Sequence, residues 1–477
     1  MHAARDELRR LIAVLVASLL LASPAAVSAT AVDPPLYRPI RHLTVAANGG
    51  HFGWALAVVG SRLLVGAPNL DGQGNTDAHA YVFDPATAAL IHDLAVEVGS
   101  DRWWQFSVGA VGSNPLVGIA PGEESAGLGG SVTVFDGDTG SPLQTLCCFG
   151  ALAMGVGANV MIGAEGGGGL FDPGSGTLVR SLVMPDPNRT GVQSMALLGR
   201  TIALAATQPV GVHLFDAPSG KRYGFVGTRH GDARHFGSAM AANGATLAVA
   251  EIPQVNLFDL GFGIVLGTID PPPGLGGSAF GTSLAWAGGL LVVGAPSAGD
   301  KGAVHLFDAN GNLFETLPAN GTGAGFGHAV AGLGRSVAVG APSDDGGSVV
   351  IYAPCGDGIV DAPVEQCDDG NAADDDGCDS ECRTVDTGST VCGDADGNGT
   401  TSLSDGVQLL RAAAGLSTVC TLARCDVDGS GSIGVSDAVR VLRAAAGLPF
   451  NGTCASRAGV APMAARAPGT ISSRASR

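Results

Sequence analysis

The chain has 477 residues, 75 of them glycine, and a formal net charge of −18. This length allows more than one domain, and the glycine content disfavours long helices because glycine loses the most backbone entropy in a helix. The acidic charge argues against nucleic acid and anionic membrane surfaces as partners.

The first 29 residues have the pattern of a secretory signal peptide. Arginines precede the apolar run Leu11–Ala22, which is too short to span a bilayer, and Val27-Ser28-Ala29 offers a small-residue cleavage site. A buried helix is the alternative for this segment. We expect export, a mature chain that starts at Thr30, and no membrane span.

A three-part phrase repeats along the next three hundred residues. Two apolar segments, the first starting near a phenylalanine, are followed by a third that ends in Phe-Asp or Tyr. Counted by its first part, the phrase occurs seven times, near Phe52, Phe106, Phe149, Val192, Phe236, Phe280 and Phe326. Units with room for a fourth strand, such as Leu90–Val96, at a spacing of about 43 to 54 residues indicate β-propeller blades.

The two ends of the repeat predict how the ring closes. The seventh unit ends at Tyr352 and leaves no room for a fourth strand before Cys355, whereas a spare apolar segment, Ile40–Val45, precedes the first unit. Pairing this strand with the last blade would remove both free sheet edges. We expect a mainly β fold with a seven-bladed propeller over residues 30–354, closed by the N-terminal strand.

The Phe-Gly and Gly-Ala-Pro phrases of these units resemble FG-GAP repeats, the blades of integrin α-like propellers. They stand at Phe52-Gly53 with Gly66–Pro68, Phe280-Gly281 with Gly294–Pro296, and Phe326-Gly327 with Gly340–Pro342. The resemblance implies a propeller that binds a protein or a glycan. Many members carry calcium loops after Gly-Ala-Pro, and no such loop follows these phrases here.

The propeller segment carries no recognised catalytic motif. Gly-x-Ser-x-Gly, His-Glu-x-x-His and phosphate-loop patterns are absent from the sequence, and carboxylates are sparse. His51, His235 and His328 flank Phe-Gly phrases, which suggests a structural role or a ring on one face. We therefore assign no catalytic residue. A polysaccharide hydrolase or lyase with its site in the propeller channel is the alternative to a non-catalytic recognition protein.

Residues 355–386 form a cysteine-rich segment. Cys355-Gly-Asp-Gly is followed by Cys367-Asp-Asp-Gly-Asn, Cys378 and Cys382. A segment this short cannot bury a core, so we expect two disulfides, for which three pairings exist. The pattern resembles the cysteine-rich repeat of secreted myxobacterial proteins, which implies no particular activity. We expect its clustered acids to be solvated, and an ion held by these carboxylates is the alternative.

A twelve-residue acidic loop occurs twice in residues 390–454. Asp394–Asp405 recurs as Asp426–Asp437, and each copy runs into a helical phrase that ends in Leu-Arg-Ala-Ala-Ala-Gly. Oxygen donors at loop positions 1, 3, 5 and 12 with glycine at position 6 are what Ca²⁺ needs from a short loop. The candidate ligands are Asp394, Asp396, Asn398, the Thr400 carbonyl and Asp405, then Asp426, Asp428, Ser430, the Ser432 carbonyl and Asp437.

This duplicated unit resembles dockerin, the calcium-binding module that attaches proteins to cohesin domains. Aspartate at position 12 and one helix after each loop fit dockerin better than a regular EF-hand. The resemblance implies two Ca²⁺ ions and a cohesin-like protein partner. Ser430 is a neutral ligand, so the second site should bind more weakly. Leu403-Ser404 and Val435-Ser436 replace the Ser-Thr pair that dockerins often present to cohesin.

Four further cysteines bracket the two predicted helices. Cys392, Cys420, Cys425 and Cys454 predict two more disulfides, again with three pairings. The tail 455–477 is expected to be disordered. The whole pattern predicts a secreted or cell-surface recognition and adhesion protein, with a ligand on its propeller and a partner on its calcium module.

Overall fold

A computed structural model provides the structure of the chain and describes it in segments. These are residues 37–45, 50–68, 77–97, 103–121, 130–149, 152–164, 166–186, 191–207, 210–227, 235–274, 279–319, 324–343, 346–361, 364–368, 370, 378–380, 382–384, 391–397, 399–416, 418–449 and 454. The predicted signal peptide, Asn398 and the C-terminal tail lie outside them. Contacts define one unit of Leu36–Asp368 and a second unit that contains Asp369–Arg477. Within the described segments, no helix is long and apolar enough to cross a membrane.

The first unit is a seven-bladed propeller, as the repeat predicts. Its described residues contain 28 strands in seven antiparallel sheets of four. Blades one to three are β2 (Ala55–Val59), β3 (Arg62–Ala67), β4 (Asp77–Phe83) and β5 (Leu90–Glu97); β6 (Trp103–Val111), β7 (Asn114–Pro121), β8 (Gly130–Phe135) and β9 (Pro142–Phe149); β10 (Ala153–Val156), β11 (Asn159–Ala164), β12 (Gly167–Phe171) and β13 (Leu178–Val183). Blades four to six are β14 (Val192–Leu198), β15 (Thr201–Thr207), β16 (Val210–Asp216) and β17 (Arg222–Val226); β18 (Phe236–Asn243), β19 (Thr246–Glu251), β20 (Gln254–Asp259) and β21 (Ile264–Ile269); β22 (Ser283–Ala287), β23 (Leu290–Ala295), β24 (Ala303–Phe307) and β25 (Leu313–Leu317). Blade seven is β26 (Ala329–Leu333), β27 (Ser336–Ala341), β28 (Ser348–Pro354) and the N-terminal strand β1 (Tyr37–Leu43).

The N-terminal strand closes the ring, which confirms the predicted architecture. β1 pairs antiparallel with β28, with Tyr37 opposite Pro354 and Leu43 opposite Val349. The Tyr37 hydroxyl donates to the Arg335 carbonyl at 2.8 Å. The strand begins three residues before the predicted segment.

The Phe-Gly phrases form the joints between blades. Their phenylalanines are fully buried at positions Phe52, Phe236, Phe280 and Phe326. At the joint between blades seven and one, the Phe52 N–H donates to the Gly346 carbonyl at 3.2 Å. Gly53 has φ +90. A Cβ added to Gly340 of blade seven would collide with the carbonyl oxygen of Gly53. The two phrases of the repeat therefore meet across the joint, and both need glycine there.

The Phe-Asp endings of the third strands form turns. An aspartate carboxylate accepts hydrogen bonds from backbone N–H groups two to four residues ahead at Asp84, Asp136, Asp172, Asp216, Asp259 and Asp308. At Asp136 the donors are Thr139 (2.7 Å) and Asp138 (3.1 Å), and these bonds hold its pKa below the usual range. An Asx turn thus leads each of these third strands into the fourth.

Blade three begins near Phe149, as predicted, but Phe149 itself belongs to blade two. Phe149 ends β9, the outer strand of blade two, opposite Gly130, and the first strand of blade three begins at Ala153. Phe149-Gly150 imitates the phrase in sequence, but the strand pairing assigns Phe149 to the preceding blade. The side chains of Cys147 and Cys148 lie outside the described residues.

The acids at the start of the cysteine-rich segment are buried, so the expectation that they are solvated is wrong. Asp361, Glu365 and Asp368 are 8%, 3% and 1% exposed. Asp368 accepts hydrogen bonds from the N–H groups of residues 356–358 at 2.7 to 3.0 Å. Burial, reinforced by the neighbouring acids, raises the pKa of Glu365 to about 7. The four cysteines of this segment are all disulfide-bonded.

The second unit contains two eleven-residue helices among its described residues. These are α1 (Leu403–Ala413) and α3 (Val435–Ala445), with the short α2 (Leu422–Cys425) between them. Disulfides join Cys392 to Cys454 and Cys420 to Cys425, which selects one of the three pairings.

A buried histidine in blade six gives the propeller a pH-dependent stability. His305 is fully buried in β24, its Nδ1 lies 2.9 Å from Thr316 Oγ1, and burial lowers its pKa to about 4 from 6.5. Between these pH values the unfolded chain binds a proton that the folded propeller does not bind. The contribution of neutral His305 to the free energy of unfolding is therefore fully present above the unfolded pKa. It declines as the pH falls towards the folded pKa.

We expect His305 to account for about 3 kcal/mol of the stability that is lost between pH 7 and pH 4. His305→Asn should remove this part of the pH dependence, because blade five already uses Asn256 with Thr268 at the same position, 2.7 Å apart. Urea unfolding of both proteins across this pH range measures the difference. If the free energy of unfolding of both proteins falls equally with pH, a group other than His305 causes the pH dependence.

Candidate metal centre

Three buried carboxylates converge in the first acidic loop. Oxygens of Asp394, Asp396 and Asp405 lie within 4.8 Å of one another, and these side chains are at most 4% exposed. Buried carboxylates at this distance repel one another unless a cation or a proton neutralises them. The exposed Thr400 follows in the same loop, and Asn398 lies outside the described residues. The oxygen donor set fits a hard cation such as Ca²⁺.

Asp405 connects the loop to the start of α1. Its Oδ1 accepts from the N–H groups of Ala395 (2.8 Å) and Asp396 (3.2 Å). Its Oδ2 accepts from the Ser402 N–H at 2.6 Å, so an acid in the first turn bonds back to the N-cap residue. The carboxylate at loop position 12 is thereby fixed beside those at positions 1 and 3.

The second loop repeats this geometry. Oxygens of Asp426, Asp428 and Asp437 also lie within 4.8 Å of one another. Asp437 accepts from the N–H groups of Asp428 (2.9 Å) and Gly434 (2.8 Å). Hydrogen bonds from Ser436 and Ser430 lower the pKa of Asp428 to about 2, so this acid is ionised at neutral pH.

The two serine ligands predicted for the second loop are neighbours. The Ser430 hydroxyl donates to the Ser432 carbonyl at 3.0 Å, and it lies 3.4 Å from Asp426 Oδ1. Both predicted donor atoms therefore lie in the same part of the loop as an aspartate of the carboxylate cluster. Their role as ligands stays a prediction.

The two long helices pack closely because Gly406 leaves room. A Cβ at Gly406 would collide with Leu442 of α3. The small core beneath the loops contains Ala395, Leu409, Cys425, Val427, Ala438 and Val441. Ala438 occupies in the second repeat the position of Gly406 in the first, and this asymmetry is the sequence signal that could have revealed the contact.

Each long helix leaves an apolar stripe exposed. Leu403, Val407 and Leu410 on α1 are 64%, 50% and 38% exposed, and Val435 and Val439 occupy the matching positions of α3 with 60% and 47%. Residues spaced by three or four lie on one face of a helix. We call these two rows the apolar stripes.

The serines beside the stripes point their hydroxyls into the loops. Ser404 donates to Asp396 Oδ2 at 3.2 Å, and Ser436 donates to Asp428 Oδ2 at 2.8 Å. These hydroxyl protons are used within the module. The side chains of Leu403 and Val435, next to these serines, are exposed to solvent instead.

The propeller channel offers no paired carboxylates among its described lining residues. The inner strands of all seven blades line an open cavity of about 290 Å³, and its lining residues are Ala, Leu, Val, Met, Ser, Thr and one histidine, His328. The rings of His51 and His328 both contact Trp54, with centroid distances of 5.9 and 4.3 Å. Because glycoside hydrolysis uses a pair of carboxylates, this lining gives the hydrolase alternative no support.

The likeness to known proteins is one of fold. No family model and no curated protein sequence matches the chain. Among solved structures, a chain from the "Crystal Structure of Mitotic Checkpoint Complex" is 17% identical, with a TM-score of 0.50 over 66% of this chain and 91% of that chain. Altogether 1004 solved chains match, so the fold is widely used and identifies no single activity. The comparisons and the geometry together establish a seven-bladed β-propeller fold.

Proposed function

We propose that the chain is a secreted, calcium-dependent recognition protein. An FG-GAP-like propeller would bind a protein or glycan ligand, and the dockerin-like residues 390–454 would attach it to a cohesin-like partner. The observation that carries this proposal is the pairing of two acidic loops with two apolar stripes in the same repeat. Each loop supplies oxygen donors, and each following helix supplies a solvent-exposed contact row.

Calcium is supported by the chemistry of the loops. The residues that would hold one ion are Asp394, Asp396 and Asp405, and those for the second are Asp426, Asp428 and Asp437. A divalent cation would neutralise the carboxylate repulsion and fix the start of both helices. Since the ligands lie in each loop and in the first turn of the helix that follows it, ion binding would be coupled to folding of the module.

The partner surface we propose is apolar. The exposed apolar side chains of Leu403, Val407 and Leu410 form a continuous row. Apolar residues that are exposed singly, as on most protein surfaces, do not form such a row. The matching row on α3 gives the module two similar faces. A helix-binding groove on the partner is the complement that such rows fit.

Secretion is supported by two features. The N-terminal pattern is that of a signal peptide, and eight cysteines are disulfide-bonded. Disulfides persist in oxidising compartments. The small, duplicated module gains stability from its two disulfides, because its core is small.

A capture experiment tests the docking function. The purified chain is incubated with the secretome of its source, with Ca²⁺ or with a chelator, and captured proteins are identified. We expect one cohesin-like partner that is lost with the chelator. The double variant Val407→Glu, Val439→Glu should reduce its capture at least tenfold, because charges would be placed in both apolar stripes.

Leu416→Glu is the matched control for this experiment. Leu416 is 59% exposed and follows α1 outside the stripe, so this variant should retain the partner. Equal loss in both variants would indicate a general effect of charge. Capture that is unaffected by chelation and by the double variant would disprove the docking function.

A further inference from the structure

The central channel of the propeller is a cavity that the docking function does not use. Its inner surface carries an apolar girdle, formed by the residue four positions before the hairpin glycine of each inner strand. These residues are Leu56, Val108, Ala153, Met195, Met240, Leu284 and Val330. One side chain from each of the seven blades thus faces the same cavity of about 290 Å³. This volume lies at the lower end of the range for small-molecule sites.

The hydroxyl protons of three lining residues are committed to backbone carbonyls. Ser194 donates to Gly237 at 2.6 Å, Ser283 donates to Gly327 at 2.8 Å, and Thr282 donates to Ala279 at 2.7 Å. The oxygens of these hydroxyls can still accept a hydrogen bond. The described lining also contains no lysine, arginine, aspartate or glutamate. A ligand therefore meets apolar side chains and hydroxyl oxygens that can accept, with no charged side chain among the described lining residues.

His328 supplies the strongest acceptor in this lining. Its Nδ1 lies 3.0 Å from the Trp54 carbonyl oxygen, which can only accept, so the proton of the neutral ring resides on Nδ1. Nε2 consequently carries a lone pair. Burial holds the pKa of His328 below its usual value, so the ring is neutral at pH 7. The Trp54 ring packs against His328 at 4.3 Å and restricts its orientation.

We propose that the channel binds a small neutral molecule with a compact apolar body and one hydroxyl donor, of the chemical type of a phenol or naphthol. The girdle would cover the apolar body, and the hydroxyl would donate to Nε2 of His328. The described lining offers no charged side chain to neutralise an anion or a cation, so both are disfavoured. This site is independent of the calcium module.

Fluorescence titration of the full chain with 2-naphthol tests the proposal. We expect saturable binding below about 1 mM. 2-Methoxynaphthalene has the same body without the donor and should bind about tenfold more weakly, because it leaves the acceptor unpaired. 2-Naphthoate should not bind. Absence of saturable 2-naphthol binding, or equal affinity for the methoxy analogue, would overturn the proposal without any variant.

Variants then locate the site. His328→Phe should remove the preference for naphthol over its methoxy analogue, and Met195→Trp should abolish binding of both by filling the cavity. His235→Phe is the matched control, because His235 flanks another Phe-Gly phrase and is absent from the described channel lining. Binding that persists in Met195→Trp would place the ligand elsewhere and contradict the proposal. Chelation should leave naphthol binding unchanged, so this test and the docking test can fail separately.

Discussion

Gly340→Ala should destabilise the propeller by about 3 to 5 kcal/mol. Single substitutions cause losses of this size only when they create severe steric or packing defects. A Cβ at this position would lie 3.0 Å from the carbonyl carbon of Gly53 and even closer to its oxygen. Both atoms belong to the backbone, so neither can move without opening the joint between blades seven and one. Urea unfolding followed by circular dichroism measures the effect.

Gly267→Ala is the matched control for this change. Gly267 also lies in a strand, β21, and no heavy atom lies within 4 Å of a Cβ added there. We expect a change within about 0.5 kcal/mol. A similarly small effect of Gly340→Ala would show that the joint is looser than its geometry indicates.

Asp405→Ala should reduce the number of bound Ca²⁺ ions from two to one. The variant removes the proposed ligand at position 12 and the acceptor for the N–H groups of Ala395, Asp396 and Ser402. In calcium at a thousandfold excess over the dissociation constant, the lost ion alone would cost about 4 kcal/mol of module stability. Titration calorimetry and unfolding with and without chelator measure both quantities.

Asp437→Ala is the informative comparison, because it should eliminate the second site and leave the first intact. The first site should be the tighter one, since Ser430 is a neutral ligand in the second loop. Asp405→Asn, which keeps an acceptor oxygen but removes the charge, separates ion binding from loop hydrogen bonding. If the unaltered chain binds no Ca²⁺, the assignment of all these ligands is wrong.

The propeller could be predicted because its signals recur. Seven apolar phrases fixed the blade number, and the missing fourth strand after Tyr352 identified the closing role of the N-terminal segment. Phe149 was misplaced because a Phe-Gly dipeptide at a strand end looks the same in sequence as one at a blade joint. Only strand pairing distinguishes the two.

Contacts between distant residues could not be predicted in this way. Nδ1 of His328 contacts the Trp54 carbonyl, although the two residues are 274 positions apart in the sequence. No local sequence pattern indicates this contact. Burial of Glu365 and Asp368 was also missed, since acids in short loop segments are usually solvated. In the duplicated loops, spacing predicted which carboxylates converge, and their role as calcium ligands stays a prediction; the inward orientation of Ser404 depends on a hydrogen bond to Asp396.

The pairing of β1 with β28 has a consequence for the order in which the protein can fold during synthesis. The first strand of the propeller emerges from the ribosome early, yet its partner, residues 348–354, is made about three hundred residues later. Blades one to six can form in sequence while β1 waits unpaired. Because the entropy cost of closing a loop rises only slowly with its length, this delay affects the folding rate more than the final stability. The nascent propeller therefore carries an unpaired strand edge until its last blade is complete, and this is the stage at which a chaperone would protect it best.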